Sequence, residues 1–202
     1  ANSTFAQPPA DTISLATGYY SNGQPVSGRY HIYPEQAAAG LWTTPTDLAK
    51  YIIECQLALK GQSHKVLSPS MMQTRMTPYL SKESALGVAI INRGDQQFFI
   101  HNGGNEAFLS TAYGTMEGGD GVVIMINGEN FSVISELLNS VARVYNWKGF
   151  YTPSIRKVIA VAKEQMKQFT GNYQLEKNDT LKVYLQGEDL YIQQSRLPRN
   201  HY

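Results

Sequence analysis

A polar, glycine-rich string is the part of the sequence best suited to chemistry. The string consists of His101, Asn102, Gly103, Gly104, Asn105 and Glu106. A histidine can carry or relay a proton near neutral pH. Paired glycines let another group approach the backbone closely, because no Cβ stands in the way. The string therefore predicts a binding or catalytic position, although a tight loop with a solvated histidine would explain the same residues.

The other residues that bind metals or react as nucleophiles do not form a ligand set. Three histidines have no partner at the spacing of metal ligands: His31, His64 and His201. Glu106 beside His101 offers too few ligands for a metal. Cys55 is the single cysteine, which excludes an internal disulfide and a cysteine-based zinc site. We therefore predict neither a metal nor an organic cofactor.

The composition excludes several classes of protein. The chain has 202 residues, of which 42% are hydrophobic and 16% charged, values that fit a folded domain and not a disordered tail. Lysine and arginine number 17 and aspartate and glutamate 16, so the formal net charge is +1. No net field would attract nucleic acid or an anionic membrane. No run approaches the roughly 18 apolar residues of a membrane span, and no signal peptide is predicted.

Two helices are predicted in the first third of the chain, after a long loop region over residues 1–36. Thr44 as N-cap, Pro45 at the first helical position and Asp47 as the last residue of a Thr-x-x-Asp capping box predict a helix over 46–60. Its apolar residues recur at spacings of three and four: Leu48, Ile52, Cys55 and Leu59. A buried, unreactive thiol is the favoured interpretation of that cysteine. A shorter helix is predicted over residues 68–76.

The hydrophobic period then changes to that of strands. Four strands are predicted, over residues 85–91, 97–101, 107–115 and 121–127. Their short connections favour an antiparallel meander. A helix over residues 131–145 is predicted to pack on the sheet through its apolar face, which comprises Ile134, Leu137, Leu138, Val141 and Tyr145.

The pattern of residues 150–202 predicts a second, smaller unit. A linker over residues 150–153 leads to a predicted helix over 154–169. Three short strands are then predicted over residues 171–173, 181–185 and 190–193. The fold class is therefore α/β (α+β), an antiparallel sheet flanked by helices over residues 1–149. A small β-rich appendage occupies residues 150–202 and looks incomplete, and a unit of this size is marginal alone.

Three stretches together resemble the serine β-lactamase and penicillin-binding-protein superfamily, in its class C-like branch of D,D-peptidases and esterases. In residues 33–48 an Ala-Gly-Leu segment precedes the Thr-x-x-Asp helix start. The string from His101 to Phe108 contains a His-x-Gly triad, and residues 121–128 end in Asn-Gly. The resemblance covers about residues 1–147. It implies a β-lactamase/transpeptidase-like fold, attack on an amide, ester or β-lactam carbonyl through an acyl-enzyme, and a periplasmic or extracellular location.

The resemblance also implies roles for individual residues. His101 would take the place of the triad's Lys or His, close to the attacking hydroxyl. Gly103 would be the triad glycine, against which the substrate backbone runs. The N–H of Gly104 would form half of an oxyanion hole, which stabilises the charge of the tetrahedral intermediate. Asn102, at the variable middle position of the triad, and Asn105 would bind substrate.

The nucleophile motifs of that superfamily are not found in the expected order. Residues 154–157 fit Ser-x-x-Lys as a string, and residues 20–22 fit Tyr-x-Asn, but each lies too late in the chain. A helix start and a surface turn are the favoured interpretations. Acyl transfer needs an activated nucleophile. The chain is therefore predicted to be the C-terminal portion of a hydrolase and inactive alone, and its start at Ala1 without methionine fits a fragment or a processed chain.

Two alternatives come from other classes of protein. The chain could be a non-catalytic binding or interaction module on a hydrolase-derived scaffold. The other half could also be a separate chain that docks here. The predicted partners are a small-molecule or peptide substrate, together with the missing N-terminal half or a second copy of this chain. An uncovered sheet edge or face would favour such association.

Overall fold

The structure is a computed structural model that describes residues 2–151, 159–177 and 179–194, with the backbone alone at position 176. The chain divides into two compact units, Ala1–Thr152 and Pro153–Tyr202. The sequence had placed the boundary after residue 149. No helix among the described residues has both the length and the apolar character needed to span a bilayer.

The first unit is an antiparallel meander with helices on both faces of the sheet. Its elements are α1 (Gln36–Ala39), α2 (Pro45–Leu59), α3 (Pro69–Met76), β1 (Ala89–Arg93), β2 (Gln96–Asn105), β3 (Phe108–Thr115), β4 (Gly121–Ile126) and α4 (Phe131–Val144). The strand order is β1-β2-β3-β4. The predicted class, a mixed α+β fold with antiparallel sheets and flanking helices, is confirmed.

Two consecutive residues of β2 face the two hydrophobic layers. Phe99 packs with residues of α2 and α3, including Ile52 and Met72. Phe98 packs with Ile134 of α4 and with the aromatic residues that follow this helix. Successive side chains of a strand point to opposite faces, so one strand is fixed from both sides. Packing on both faces at Phe98 and Phe99 therefore fixes the position of β2, which continues to Asn105.

The predicted helix starts are confirmed by their caps. The Thr44 hydroxyl accepts a hydrogen bond from the Asp47 N–H at 3.2 Å, ahead of α2. The Ser68 hydroxyl accepts one from the Met71 N–H at 3.2 Å, ahead of α3. A proline occupies the first turn of both helices. These caps satisfy N–H groups that have no partner within the helix, which is why the local sequence signals both starts.

Asp47 joins the start of α2 to the beginning of the chain. Lys50 Nζ lies 2.6 Å from Asp47 Oδ1, and the Asn2 N–H donates to Asp47 Oδ2. The hydrogen bond from Lys50 is the largest of the interactions that lower the pKa of Asp47 from 3.8 to about 2. The folded protein thus favours the ionised carboxylate.

Replacement of Asp47 by asparagine should cost stability at neutral pH, and this cost should shrink as the pH falls toward 2. A carboxyl whose folded pKa is depressed adds stability above its unfolded pKa of about 3.9, and this is lost as the pH falls through the folded value. Urea midpoints of the wild type and Asp47→Asn, measured at pH 7, 4 and 2, should therefore converge at the acid end. A constant difference across this range would contradict the assignment.

The predicted first strand begins four positions too early. Residues 85–88 form a turn in which the Ala85 N–H donates to the Val88 carbonyl at 3.0 Å, and β1 starts only at Ala89. Gly87 has a φ of +73° in this turn, a conformation that glycine adopts readily. The apolar run is explained by packing, since Val88 is buried in the layer beneath α2. The prediction was wrong because Val88 is buried like a residue of a strand, although residues 85–88 belong to no strand.

The predicted face of α4 is partly wrong. Ile134 and Leu138 are buried, as expected. Leu137 is 45% exposed, and Tyr145, which lies beyond the last residue of the helix, is 67% exposed. The buried positions follow a spacing of four and include Ala142. Leu137 therefore lies to one side of the buried stripe.

The predicted linker begins inside the core. Phe150 is 3% exposed. Its ring centroid lies 5.3 Å from those of both Phe98 and Trp147, and 5.9 Å from that of Tyr113. The four rings meet edge-on or tilted, arrangements that add to the free energy of burial. Phe150 therefore belongs to the first unit.

The N-terminal region contains no helix or strand in residues 2–35 of the described chain. Isolated bridges connect Thr4 to Trp42 and Tyr19 to Pro25. Residues 20–24 form a turn, in which the Tyr20 N–H donates to the Gln24 carbonyl at 2.9 Å. The region is otherwise the predicted long loop.

The second unit is a short helix followed by a three-stranded antiparallel sheet. Its elements are α5 (Lys163–Lys167), β5 (Gly171–Glu176), β6 (Asp179–Gln186) and β7 (Asp189–Gln194). The three predicted strands are present and longer than expected. The predicted helix over residues 154–169 is wrong over residues 159–162, which are not helical, and its start lies outside the described residues.

Candidate functional site

The string that begins at His101 lies on a strand and not in a loop. β2 continues through Asn105, and a turn of two residues, Glu106 and Ala107, leads to β3. β1 pairs with β2 only as far as the contact of Ala89 with Ile100. From residue 101 to 105, β2 thus pairs with β3 on one side and leaves its other edge without a strand partner in the described structure.

The register fixes which backbone groups face this open edge. The Met116 N–H donates to the Gln97 carbonyl at 2.9 Å, so residue 97 directs its backbone groups toward β3. Successive residues of an antiparallel strand alternate in this direction. Residues 99, 101, 103 and 105 therefore also face β3, and Asn102 and Gly104 face the open edge. We find no hydrogen bond to the N–H of Asn102 or Gly104 within the part of the chain that the structure describes.

The side chains of the string divide between the two faces of the sheet. His101 pairs with Ala112, which packs in the α2 layer, so the exposed imidazole lies on the α2 face. Asn102 lies on the other face, where its amide oxygen accepts a hydrogen bond from the Thr111 hydroxyl at 2.6 Å. The Asn105 amide nitrogen donates to the Ala39 carbonyl at 2.9 Å. The two asparagines thus hold the strand in place.

The two glycines differ in how much room surrounds them. A Cβ on Gly103 would meet the Ser110 hydroxyl well inside van der Waals contact, whereas one on Gly104 would lie 3.6 Å from Leu109 Cδ2, an ordinary contact. Gly103 thus brings the backbone close to its neighbour on β3. The absence of a side chain on Gly104 leaves the open edge accessible.

An open cleft of about 1220 Å³ lies beside this edge, with all five predicted site residues in its wall. The lining also includes residues of the N-terminal loop and of the segment that enters α2, such as Ser3, Tyr30 and Trp42. Its volume is slightly above the range that is typical of small-molecule binding cavities. The structure thus brings His101, Asn102, Gly103, Gly104 and Asn105 to one side of a cleft.

Sequence reasoning missed the polar contacts at the rim of the cleft. The Tyr20 hydroxyl donates to Glu106 Oε1 at 2.6 Å, and this hydrogen bond is the main cause of a raised pKa of Tyr20. His31 Nε2 lies 3.6 Å from Glu106 Oε2. The Glu106 N–H donates to the Tyr33 hydroxyl at 3.0 Å. Glu106 thus has contacts with Tyr20, His31 and Tyr33, which are more than 70 residues away in the sequence.

No activated serine is found among the described residues of the cleft. Ser110 pairs with Gly103 through its backbone, but we find no hydrogen bond of its hydroxyl within the described chain, and no lysine is among the described residues that line the cleft. The Tyr-x-Asn string at residues 20–22 lies in a turn, as the sequence favoured. The Ser-x-x-Lys string at 154–157 lies outside the described residues. No group of three potential metal ligands occurs in the described part of the chain.

The chain matches known proteins by fold alone. No family model and no curated protein matches it. A crystal structure of SurE matches with a TM-score of 0.53 and 16% identity, over 90% of this chain and 44% of that chain. The octameric penicillin-binding protein homologue from Pyrococcus abyssi matches with a TM-score of 0.55 and 19% identity, over 95% of this chain and 44% of that one. Our chain therefore spans less than half the length of either structure.

These matches overturn the assignment to the serine β-lactamase and penicillin-binding-protein superfamily that the sequence motifs had suggested. One of the two matched structures is of SurE, which that assignment did not anticipate. The other is of a penicillin-binding protein homologue, but the identity is low. We therefore correct the family assignment to a likeness of fold.

Proposed function

We propose that the cleft binds the carbonyl group of an amide, an ester or a β-lactam, and that this chain supplies part of an acyl-transfer site. The proposal rests mainly on one observation, the open edge of β2, which presents the unpaired N–H groups of Asn102 and Gly104 beside the cleft. Such donors stabilise the negative charge that develops on a carbonyl oxygen under attack. They suit a carbonyl oxygen better than a cation.

His101 is the group in this part of the cleft wall that can exchange a proton. Its imidazole lies on the strand between Ile100 and Asn102 and is exposed. We propose that it donates a hydrogen bond to the bound ligand or to the attacking hydroxyl. Gly103 keeps the strand close to β3 through its contact with Ser110, and thereby positions the donor on Gly104.

The attacking group is proposed to come from outside the described residues. An acyl-enzyme requires a nucleophile held beside a base. The described part of the cleft wall lacks that pair, whereas it includes His101 and the strand edge with the unpaired N–H of Gly104. The same observation favours a second candidate function, a binding module that recognises a carbonyl compound without reacting with it. The two functions share the binding step.

Substitution of His101 by alanine should weaken binding and leave stability unchanged. The probe is N-acetylalanylalanine methyl ester, which is uncharged. We expect His101→Ala to lower its affinity about three- to tenfold, the value of one hydrogen bond. The free energy of unfolding should change by less than about 0.5 kcal/mol, because the side chain is exposed.

His64→Ala is the matched control, since His64 is also exposed and does not line the cleft. Calorimetric titration of the three proteins gives the affinities, and urea denaturation gives the stabilities. Equal affinity in His101→Ala and in the wild type would remove His101 from the site.

Self-association is a further part of this proposal. The matched penicillin-binding protein homologue is an octamer. In our chain α4 leaves several large apolar side chains exposed, namely Phe131, Val133, Leu137 and Val144. Exposed apolar patches of this kind favour contact with another protein surface.

A further inference from the structure

The charged groups of the cleft are of one sign. Its described lining includes two carboxylates, Asp11 and Glu106, and two histidines, His31 and His101, but no lysine and no arginine. The whole chain, in contrast, has 17 lysines and arginines against 16 acidic residues. With neutral histidines the described cleft wall is therefore negative. A positively charged ligand would be attracted to it, and a carboxylate would be repelled.

The carboxylate of Asp11 is held by hydrogen bonds within its own loop. Its carboxylate accepts hydrogen bonds from the Ser14 hydroxyl at 2.9 Å and from the Ile13 N–H at 3.0 Å. The Ser14 hydroxyl is the largest of the contacts that lower the pKa of Asp11, so this carboxylate stays ionised. It adds to the negative field, but its position is dictated by the turn that it stabilises.

Glu106 is positioned to contact a ligand. It is the first residue of the turn after β2, two positions beyond Gly104. Tyr20 orients one carboxylate oxygen by a hydrogen bond of 2.6 Å. The other oxygen lies 3.6 Å from His31 Nε2, which is longer than a hydrogen bond, and 41% of the side chain is exposed. A carboxylate oxygen can accept two hydrogen bonds, so this oxygen retains acceptor capacity toward the cleft.

We propose that Glu106 binds the ammonium group of the ligand, so that the cleft selects carbonyl compounds with a free amino group. This inference rests on the proposed function, because the open edge at Gly104 positions the carbonyl. Glu106 follows Gly104 by two positions and lies in the wall of the same cleft, so the two residues can contact the two ends of one short extended ligand. Free amino-acyl amides and esters fit this arrangement, whereas N-acylated compounds offer Glu106 no cation.

The test compares alanylalanine methyl ester with its N-acetylated form at about pH 7.2, where the α-amino group is mainly protonated and an unperturbed imidazole is mainly neutral. We expect the wild type to bind the free amine about fivefold more tightly, the upper value for a partly exposed ion pair. Glu106→Gln keeps an acceptor for Tyr20 and removes the charge. It should bind both esters equally and keep the wild-type affinity for the N-acetylated one.

Asp11→Asn is the matched control, because it removes the other carboxylate of the lining and keeps the acceptor of its turn. It should retain the preference for the amine. No preference in the wild type, or equal loss of preference in both variants, would overturn the role of Glu106. If the amine binds in a Glu106-dependent manner but His101→Ala leaves the affinity for both esters unchanged, the role of Glu106 stands and the proposed role of His101 fails. If neither ester binds, both proposals are overturned.

Discussion

Replacement of Phe98 by alanine is expected to lower the free energy of unfolding of the first unit by about 3–5 kcal/mol. Phe98 is fully buried. Its ring centroid lies 5.2 Å from that of Trp147, 5.3 Å from that of Phe150 and 6.0 Å from that of Tyr113. Truncation would remove all three aromatic contacts and leave a cavity between β2 and α4.

Urea denaturation followed by circular dichroism measures this loss, with Phe5→Ala as the control. Phe5 is half exposed, so its truncation should cost far less. The result bears on the site because Phe98 lies on the strand that carries the open edge. Similar losses in the two variants would show that the aromatic layer does not hold β2.

Loss of the Gly104 N–H is expected to have the largest effect on function. Gly104→Pro removes the donor and places the ring at the open edge, where no described ladder hydrogen bond is lost. Affinity for N-acetylalanylalanine methyl ester should fall about tenfold. In a protein that also supplies the attacking serine, acyl transfer should fall by about a hundredfold or more, as expected for an oxyanion donor.

Gly104→Ala is the matched control because it retains the N–H. Its Cβ would lie in ordinary contact with Leu109, so the fold should accept it. Affinities from calorimetry should therefore rank the wild type close to Gly104→Ala and well above Gly104→Pro. Equal weakening in both variants would indicate a steric effect and would contradict the role of the N–H as a donor.

Local chemistry made the starts of the helices predictable. Thr44 and Ser68 cap α2 and α3 through hydrogen bonds that span three residues, and the prolines that follow them suit a first helical turn. Such signals lie within a short window of sequence. The spacing of apolar residues likewise predicted that Cys55 would be buried, as it is.

The form of the site could not be predicted, because it depends on pairing between distant residues. β2 extends through Asn105 because β3 provides a register for it, and its edge is open because β1 begins only at Ala89. The contact of Tyr20 with Glu106 joins residues 86 positions apart. The buried Phe150 was assigned to a linker because the rings around it come from other elements. Motif resemblance also suggested a family that the comparisons do not support.

Amide hydrogen exchange, read residue by residue, tests the central claim most directly. In the free protein the amides of residues 101, 103 and 105 should be protected by β3, whereas those of Asn102 and Gly104 should exchange rapidly. Saturation with N-acetylalanylalanine methyl ester should slow exchange at Asn102 and Gly104 and leave the other three unchanged. If Asn102 and Gly104 are already protected in the free protein, or the ester does not slow them, the open edge is not the carbonyl site.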